Sequence, residues 1–447
     1  MLEIHPKAAE NLNQKAAQIL AFVRDIEPSD VQFPSFDPEI HPAIQVDGSS
    51  AFSSIYRASG INDDTVRLYL NPELSIGILE DGCLEIRKIV ENLFKIEAIN
   101  RKVSIKTLDT VLCTWIREKF NDPGFFNYLD FLNNHLENLI DEYEIIIPIE
   151  FLHIEKSFTL GNVIFRPFSK GLIDGLESRT MAQAQDSQQR DLAKMFFDQK
   201  IRGFQGHAIT AISLQAEPER AYEIAIEETN VALAMLRIFS PDTQEPLSYY
   251  PCAIWGSANI SRGYLMALKQ GNFNQMHITT LDRRPMPGYL DSQTIDDLYS
   301  TGLEILDSLL QTSKRNLFQD KLLDALILYS RSAVSKDIAD KLVYILVSLE
   351  SIFLKNSSEP IQQNLGERIA FLIGDSLESR KRIIKVVRDA YNLRSRFIHH
   401  GGSINDLETM REFMRYAWRA VVSLIRLSNS ILTIDSLLDR LDDRKLS

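Results

Sequence analysis

Residues 391–402 read Tyr391-Asn392-Leu393-Arg394-Ser395-Arg396-Phe397-Ile398-His399-His400-Gly401-Gly402, the densest set of chemically capable side chains in the sequence. Histidine titrates near neutral pH and can take or give a proton. Arginine is permanently charged and presents a planar fork to phosphate oxygens. Together they suit RNA cleavage without a metal. A base takes the 2′-hydroxyl proton, the freed oxygen attacks the adjacent phosphate, and arginine stabilises the charge that builds there. A structural role also fits these residues, because basic groups in the last turn of a helix complement its dipole. Helical geometry leaves the pairing open. Arg396 and His400, four apart, share a face, whereas Arg394 and His399 sit about 140° apart around the axis.

The helix expected to carry this stretch begins near Ser376, and Gly401-Gly402 supplies the left-handed stop that helices favour. Its upstream turns hold Arg380, Lys381, Arg382, Lys385 and Arg388, a candidate RNA-binding set. From Arg380 to Arg396 seven basic residues face one acid, Asp389, inside a chain whose net charge is −12. The global figure argues against a general nucleic-acid coat, and the local one marks a single basic element. A charge run on a helix is also what a solvated face looks like.

Other chemistries find little support. Cys83, Cys113 and Cys252 lie far apart, which suits a reducing compartment and argues against a disulfide framework or a cysteine zinc site. His5, His41, His135, His153, His207 and His277 are scattered singly, with no metal-ligand spacing. No P-loop, strand-borne G-x-G-x-x-G, G-x-S-x-G elbow or H-E-x-x-H occurs. Neither metal nor cofactor is expected. The first twenty residues carry charges throughout and no uncharged apolar run is long enough for a membrane span, so a cytoplasmic protein without a membrane partner is expected.

The 447 residues, 45% hydrophobic and 25% charged, describe a soluble globular chain too long for one small core. Fifteen of 16 prolines fall at or before Pro287, so an all-helical region follows, with helices at 291–311, 315–332, 336–355, 361–373, 376–400 and 405–436. Asn405, with Glu408 three residues on, is the expected cap of the last. Residues 146–290 carry strand signals at 145–154, 158–168 (with Gly161-Asn162 as a turn), 208–216 and 247–255, and Pro218 opens a helix to Phe239. Residues 1–145 read as mainly helical after an irregular stretch at 28–42, with helices at 84–99, 106–120 and 125–143. The class is mainly α: an N-terminal helix-rich region (1–145), a small α+β domain (146–290) and a helical bundle (291–447).

Three segments in order carry a resemblance. The stretch LRSRFIHHGG (393–402) resembles the signature of HEPN domains, all-helical modules of prokaryotic defence, toxin and CRISPR-associated proteins. Their hallmark is an arginine, usually followed by a polar residue, with a histidine four to six positions beyond; Arg394, Ser395 and His399 fit with four residues intervening. LVSLESIFLKNSSEP (346–360) and LGERIAFLIG (365–374) are similar to the helices that precede this motif in the ApeA-like branch. The resemblance spans about 315–435. It implies Arg394 and His399 as a catalytic pair, with His400 as the alternative histidine, Ser395 at the polar position, and Arg396, Glu350 and Arg368 in support. It further implies a metal-independent endoribonuclease acting on single-stranded RNA, a homodimer whose two motifs line one cleft, and a defence or toxin role with an antitoxin or trigger protein as partner. HEPN domains also serve as noncatalytic RNA- or protein-binding scaffolds. A ligand-sensing role for the α+β segment is a third possibility.

Overall fold

The structure, a computed structural model, describes residues 6–25, 56–60, 63–71, 76–78, 80–258, 262–269, 272–280, 288–355, 359–400 and 404–446. The stretch 28–42 lies outside them, as do His5 and His41. The chain divides into two compact units: Met1–Ile145 with Ser213–Ala225, and Ile146–Ile212 with Ile226–Ser447.

In the first unit, helices α1 (Pro6–Ile19), α2 (Glu80–Phe94), the short α3 (Glu97–Asn100), α4 (Ile105–Asn121) and α5 (Tyr128–Glu137) pack around one apolar core. Trp115 and Tyr128 meet edge-on at 5.5 Å inside it, and the indole donates to the Phe126 carbonyl. Four antiparallel strands accompany the helices: β1 (Val23–Asp25), β2 (Tyr56–Gly60), β3 (Asp63–Asn71) and β4 (Ile76–Ile78), ordered β1-β4-β3-β2. The sequence reading has no strands here. It also runs a helix through 125–143, whereas α5 stops at Glu137 and strand β5 (Asp141–Glu150) follows. The run Ile145-Ile146-Ile147 is β-branched, and such side chains fit a pleated surface better than a helix.

In the second unit a five-stranded sheet runs β10-β5-β9-β8-β7, with β7 (Phe158–Leu160), β8 (Val163–Pro167), β9 (Ala208–Ala216) and β10 (Ala253–Ile254). Gly161, at φ +65°, makes the turn between β7 and β8. Strand β6 (Leu152–Ile154) pairs with β13 (Gly288–Leu290), and β11 (Arg262–Lys269) pairs with β12 (Asn272–Thr280). Helices α6 (Lys170–Gln183) and α7 (Ser187–Gln199) appear where none is read from the sequence, and α8 spans Pro218–Arg237. Of the expected strand 247–255 only Ala253–Ile254 pairs.

From Ser292 to Leu446 every regular element among the described residues is helical: α9 (Ser292–Leu298), α10 (Glu304–Gln311), α11 (Leu317–Val334), α12 (Ile338–Phe353), α13 (Ile361–Ile373), α14 (Leu377–His400), α15 (Leu407–Leu427) and α16 (Ile434–Leu446). The protein is mainly helical, with a helical C-terminal region and small sheets. Asn316 and Gln319 form a reciprocal capping box at the start of α11. The stretch expected as one helix at 405–436 is two. Ser428 and Ser430 turn their hydroxyls back to the carbonyls of Ile425 and Leu427, the local bonding by which serine competes with a helix. The cap of α15 is Asp406, accepting from the Thr409 N–H at 3.1 Å, one residue beyond the expected Asn405. The 291–311 helix is likewise broken by a widened turn at Tyr299–Leu303 around Gly302.

Residues 146–212 and 226–290 lie in the same compact unit as the helical region. Polar ties join them. Arg411 forks onto Glu245 at 2.9 Å through two nitrogens, Trp418 Nε1 donates to the Ile238 carbonyl, and fully buried Lys341 reaches the carbonyls of Asp242 and Ser248. No helix among the described residues is long and apolar enough to cross a membrane.

Candidate active site

Helix α14 is amphipathic. Ile383, Val386, Val387, Ala390, Tyr391 and Leu393 are buried, which turns Lys381, Lys385, Arg388, Asn392 and Ser395 outward along one stripe. Arg394 lies at the edge of the buried face, one turn after Tyr391. Both side chains meet Glu350 in the last turn of α12. The Tyr391 hydroxyl donates to Glu350 Oε1 at 2.7 Å, and Arg394 Nη1 donates to the same oxygen at 3.1 Å. The pair is neither surface nor core, with 27% of the arginine side chain and 19% of the glutamate exposed. Burial, and after it the neighbouring carboxylate, push the Tyr391 phenol well above its ordinary range, so it stays a neutral donor. Arg394 Nε is buried with no partner among the described residues.

The resemblance groups Glu350 with Arg368, and the structure separates them. Arg368, nearly buried, gives Nη1 to the Phe353 carbonyl at 2.6 Å and to Glu359 at 2.7 Å. It ties α13 to the end of α12. Ser395 and Arg396 are exposed, and Arg396 makes a long bond back to the Asn392 carbonyl. Arg396 also contributes, after the Thr409 amide and hydroxyl, to holding the Asp406 carboxyl below its usual range. The backbone of His399 and His400 completes α14, but their side chains lie outside the described residues, as do Gly401 and Gly402.

The five upstream cations have different fates. Arg380 stacks on the Phe371 ring at 4.6 Å and bonds the Gly374 carbonyl. Arg382 makes a two-nitrogen fork with Glu412 of α15. Lys385 stands 3.9 Å from Asp389, a weak exposed pair. Lys381 and Arg388 are exposed, without an ion pair among the described residues. Carboxylates from outside the segment, Glu350 and Glu412, therefore offset part of the charge counted along the sequence.

One cluster escaped the sequence reading. The rings of His153, in β6, and His207, just before β9, lie 4.6 Å apart, and the Trp255 indole packs edge-on against His207 at 4.9 Å. His153 Nδ1 bonds the Gly206 carbonyl, while His207 Nδ1 is buried without a partner among the described residues. Burial, and then His153, lower the His207 pKa, against the opposing pull of Glu150. The two histidines are 54 positions apart, so no spacing marked them. No group of three histidine, cysteine or acidic side chains suited to a metal occurs among the described residues.

Comparisons with protein-family models, curated proteins and solved structures find no match. The functional reading therefore stands on the residues themselves.

Proposed function

We propose that the chain is a metal-independent endoribonuclease of the HEPN type that cleaves single-stranded RNA as a homodimer through its C-terminal region, in an antiphage defence or toxin role. The observation that carries this reading is the state of Arg394. It is held by one carboxylate oxygen, part-exposed, five positions before His399 near the end of a helix whose outward stripe is basic. In the proposed reaction one histidine accepts the 2′-hydroxyl proton and that oxygen bonds to phosphorus. The 5′ oxygen leaves with a proton from the histidine of the second subunit, and a 2′,3′-cyclic phosphate remains. Arg394 stabilises the charge on the phosphate oxygens at the crowded intermediate. A twofold axis would supply two such pairs around one scissile bond. Ser395 and Arg396, exposed beside the pair, are suited to contact the RNA backbone, as are Lys381, Lys385 and Arg388.

The test is cleavage of single-stranded RNA in EDTA by the wild type, R394A, H399A and H400A. Loss of cleavage in R394A and in one histidine variant, with the fold retained by circular dichroism, supports the assignment and names the histidine. Wild-type rates in R394A, or in both histidine variants, overturn it.

One observation favours the noncatalytic alternative, an RNA- or protein-binding scaffold: Arg394 and Arg382 are both neutralised within the chain. RNA binding that persists in wild type with no cleavage under any condition would support that reading.

A further inference from the structure

An arginine that stabilises a phosphate must do so with donors the fold has not already used, held in a fixed orientation. Arg394 meets both conditions through two neighbours. Its link to Glu350 runs through Nη1 alone, unlike the two-nitrogen fork between Arg382 and Glu412. No other hydrogen bond engages it among the described residues, which leaves the Nη2 side outside the pair. The Glu350 oxygen that holds Nη1 also accepts the Tyr391 hydroxyl at 2.7 Å, the shorter of the two bonds. Sharing that oxygen with a buried, neutral phenol draws off part of its negative charge. The carboxylate then orients the guanidinium without saturating it. Tyr391 is itself 6% exposed and packed in the helical core, so the triangle is anchored to the fold on one side only.

We infer that Glu350 and Tyr391 are positioning residues for Arg394: they fix the plane of its guanidinium and keep Nη2 available to the scissile phosphate. The inference rests on the endoribonuclease reading and deepens it. Neither residue needs to touch RNA. Glu350 acts through Arg394, and Tyr391 acts through Glu350.

Single-turnover cleavage of a defined single-stranded RNA, measured against RNA concentration, tests this in wild type, R394A, E350Q, E350D, Y391F and the double variant E350Q/R394A. E350Q preserves shape and removes the charge. It is expected to slow the maximal rate about tenfold, and Y391F about threefold, because misorientation of a stabilising group is felt in the transition state. The RNA concentration for half-maximal rate should move less than about twofold. E350D should recover part of the loss, and E350Q should add nothing once Arg394 is gone. A general loss of fold would not produce that split, nor the rescue, nor the absence of an additional effect in the double variant. Should E350Q fail to fold, Y391F and E350D carry the same test. Loss of activity in R394A with E350Q at or above the wild-type rate overturns the positioning role alone, and a faster E350Q would mean that the carboxylate competes with phosphate. A wild type that cleaves no RNA, or an R394A variant as fast as wild type, overturns the endoribonuclease reading and this role together.

Discussion

Arg368 and Arg394 both face a glutamate in the helical region, and both bury an Nε without a partner among the described residues. They differ in everything else the guanidinium offers. Arg368 gives Nη1 to a carbonyl and a carboxylate and sets Nη2 3.8 Å from Asp442, with only 5% of its side chain exposed. Among the described residues Arg394 has one bond, to a carboxylate oxygen it shares with Tyr391, and is several times more exposed. The first is a tie between helices, and its charge is compensated where it lies. The second is anchored but not exhausted, the state expected of a group that meets a ligand. The contrast separates an arginine committed to the fold from one that keeps donors for a ligand, the role proposed for Arg394.

The comparison breaks most directly by exchanging the damage. R394A is expected to lower the RNA cleavage rate at least about a hundredfold, the usual cost of losing a charged transition-state partner. Its melting temperature should fall little, since part-exposed ion pairs contribute about 1 kcal/mol or less. R368A should do the reverse. It strands the Glu359 carboxylate and the Phe353 carbonyl, and a stability loss of about 3 kcal/mol is expected by denaturant titration. Cleavage per folded molecule should be preserved. An R368A variant that stays stable but inactive would assign Arg368 to the site.

Lys341 sharpens the same contrast at a smaller scale, as a second cation committed wholly to the fold. Burial pushes its pKa down to about 8, with Asp242 and Glu245 opposing the shift. The sign follows from the bound protons. Between about pH 8 and the ordinary lysine value near 10.4, the unfolded chain holds a proton that the folded chain has released. Stability therefore rises with pH across that window, on the order of 3 kcal/mol, and the slope should vanish in K341M. Paired melting curves from pH 7 to 10.5 measure the difference. Equal slopes in the two proteins would mean that the ammonium is not desolvated as its contacts suggest.

The same contrast explains what could be read in advance. The loss of proline after Pro287 marks the helical region well, because a missing donor acts locally, whatever surrounds it. The helices α11 to α14 fall within a few residues of their expected bounds for that reason. Helices α6 and α7 were not legible. α7 is exposed along most of its length, with Leu192, Met195 and Phe196 turned outward, so it lacks the buried stripe that periodicity detects. The candidate site divides along the same line. Arg394 stood out by type and spacing and Glu350 entered through the resemblance, whereas the bond between these two, and that of Arg368 to Glu359, are set by how α12, α13 and α14 pack. The charge of the basic segment depends in the same way on Glu412, 30 positions from Arg382. Pairing between distant residues has no local signature, and it decides here which charges remain available.

The smallest effect tests the start of α15, just beyond the end of the candidate site. Asn405 and Asp406 are adjacent capping residues, and either could have served. Only Asp406 accepts from the Thr409 amide, and its carboxyl is held below the usual range chiefly by that bond. D406A should therefore cost about 1 kcal/mol of stability. Because its carboxyl pKa is depressed, the Asp406 contribution is present at neutral pH and fades as pH falls through the folded value, so D406A and wild type should converge in acid. Arg396 adds a weak electrostatic pull on the same carboxylate, so R396A should trim the Asp406 contribution without abolishing it. If D406A also altered RNA cleavage, the stretch between α14 and α15 would belong to the site, and the division between fold-committed and available charges would extend one helix further.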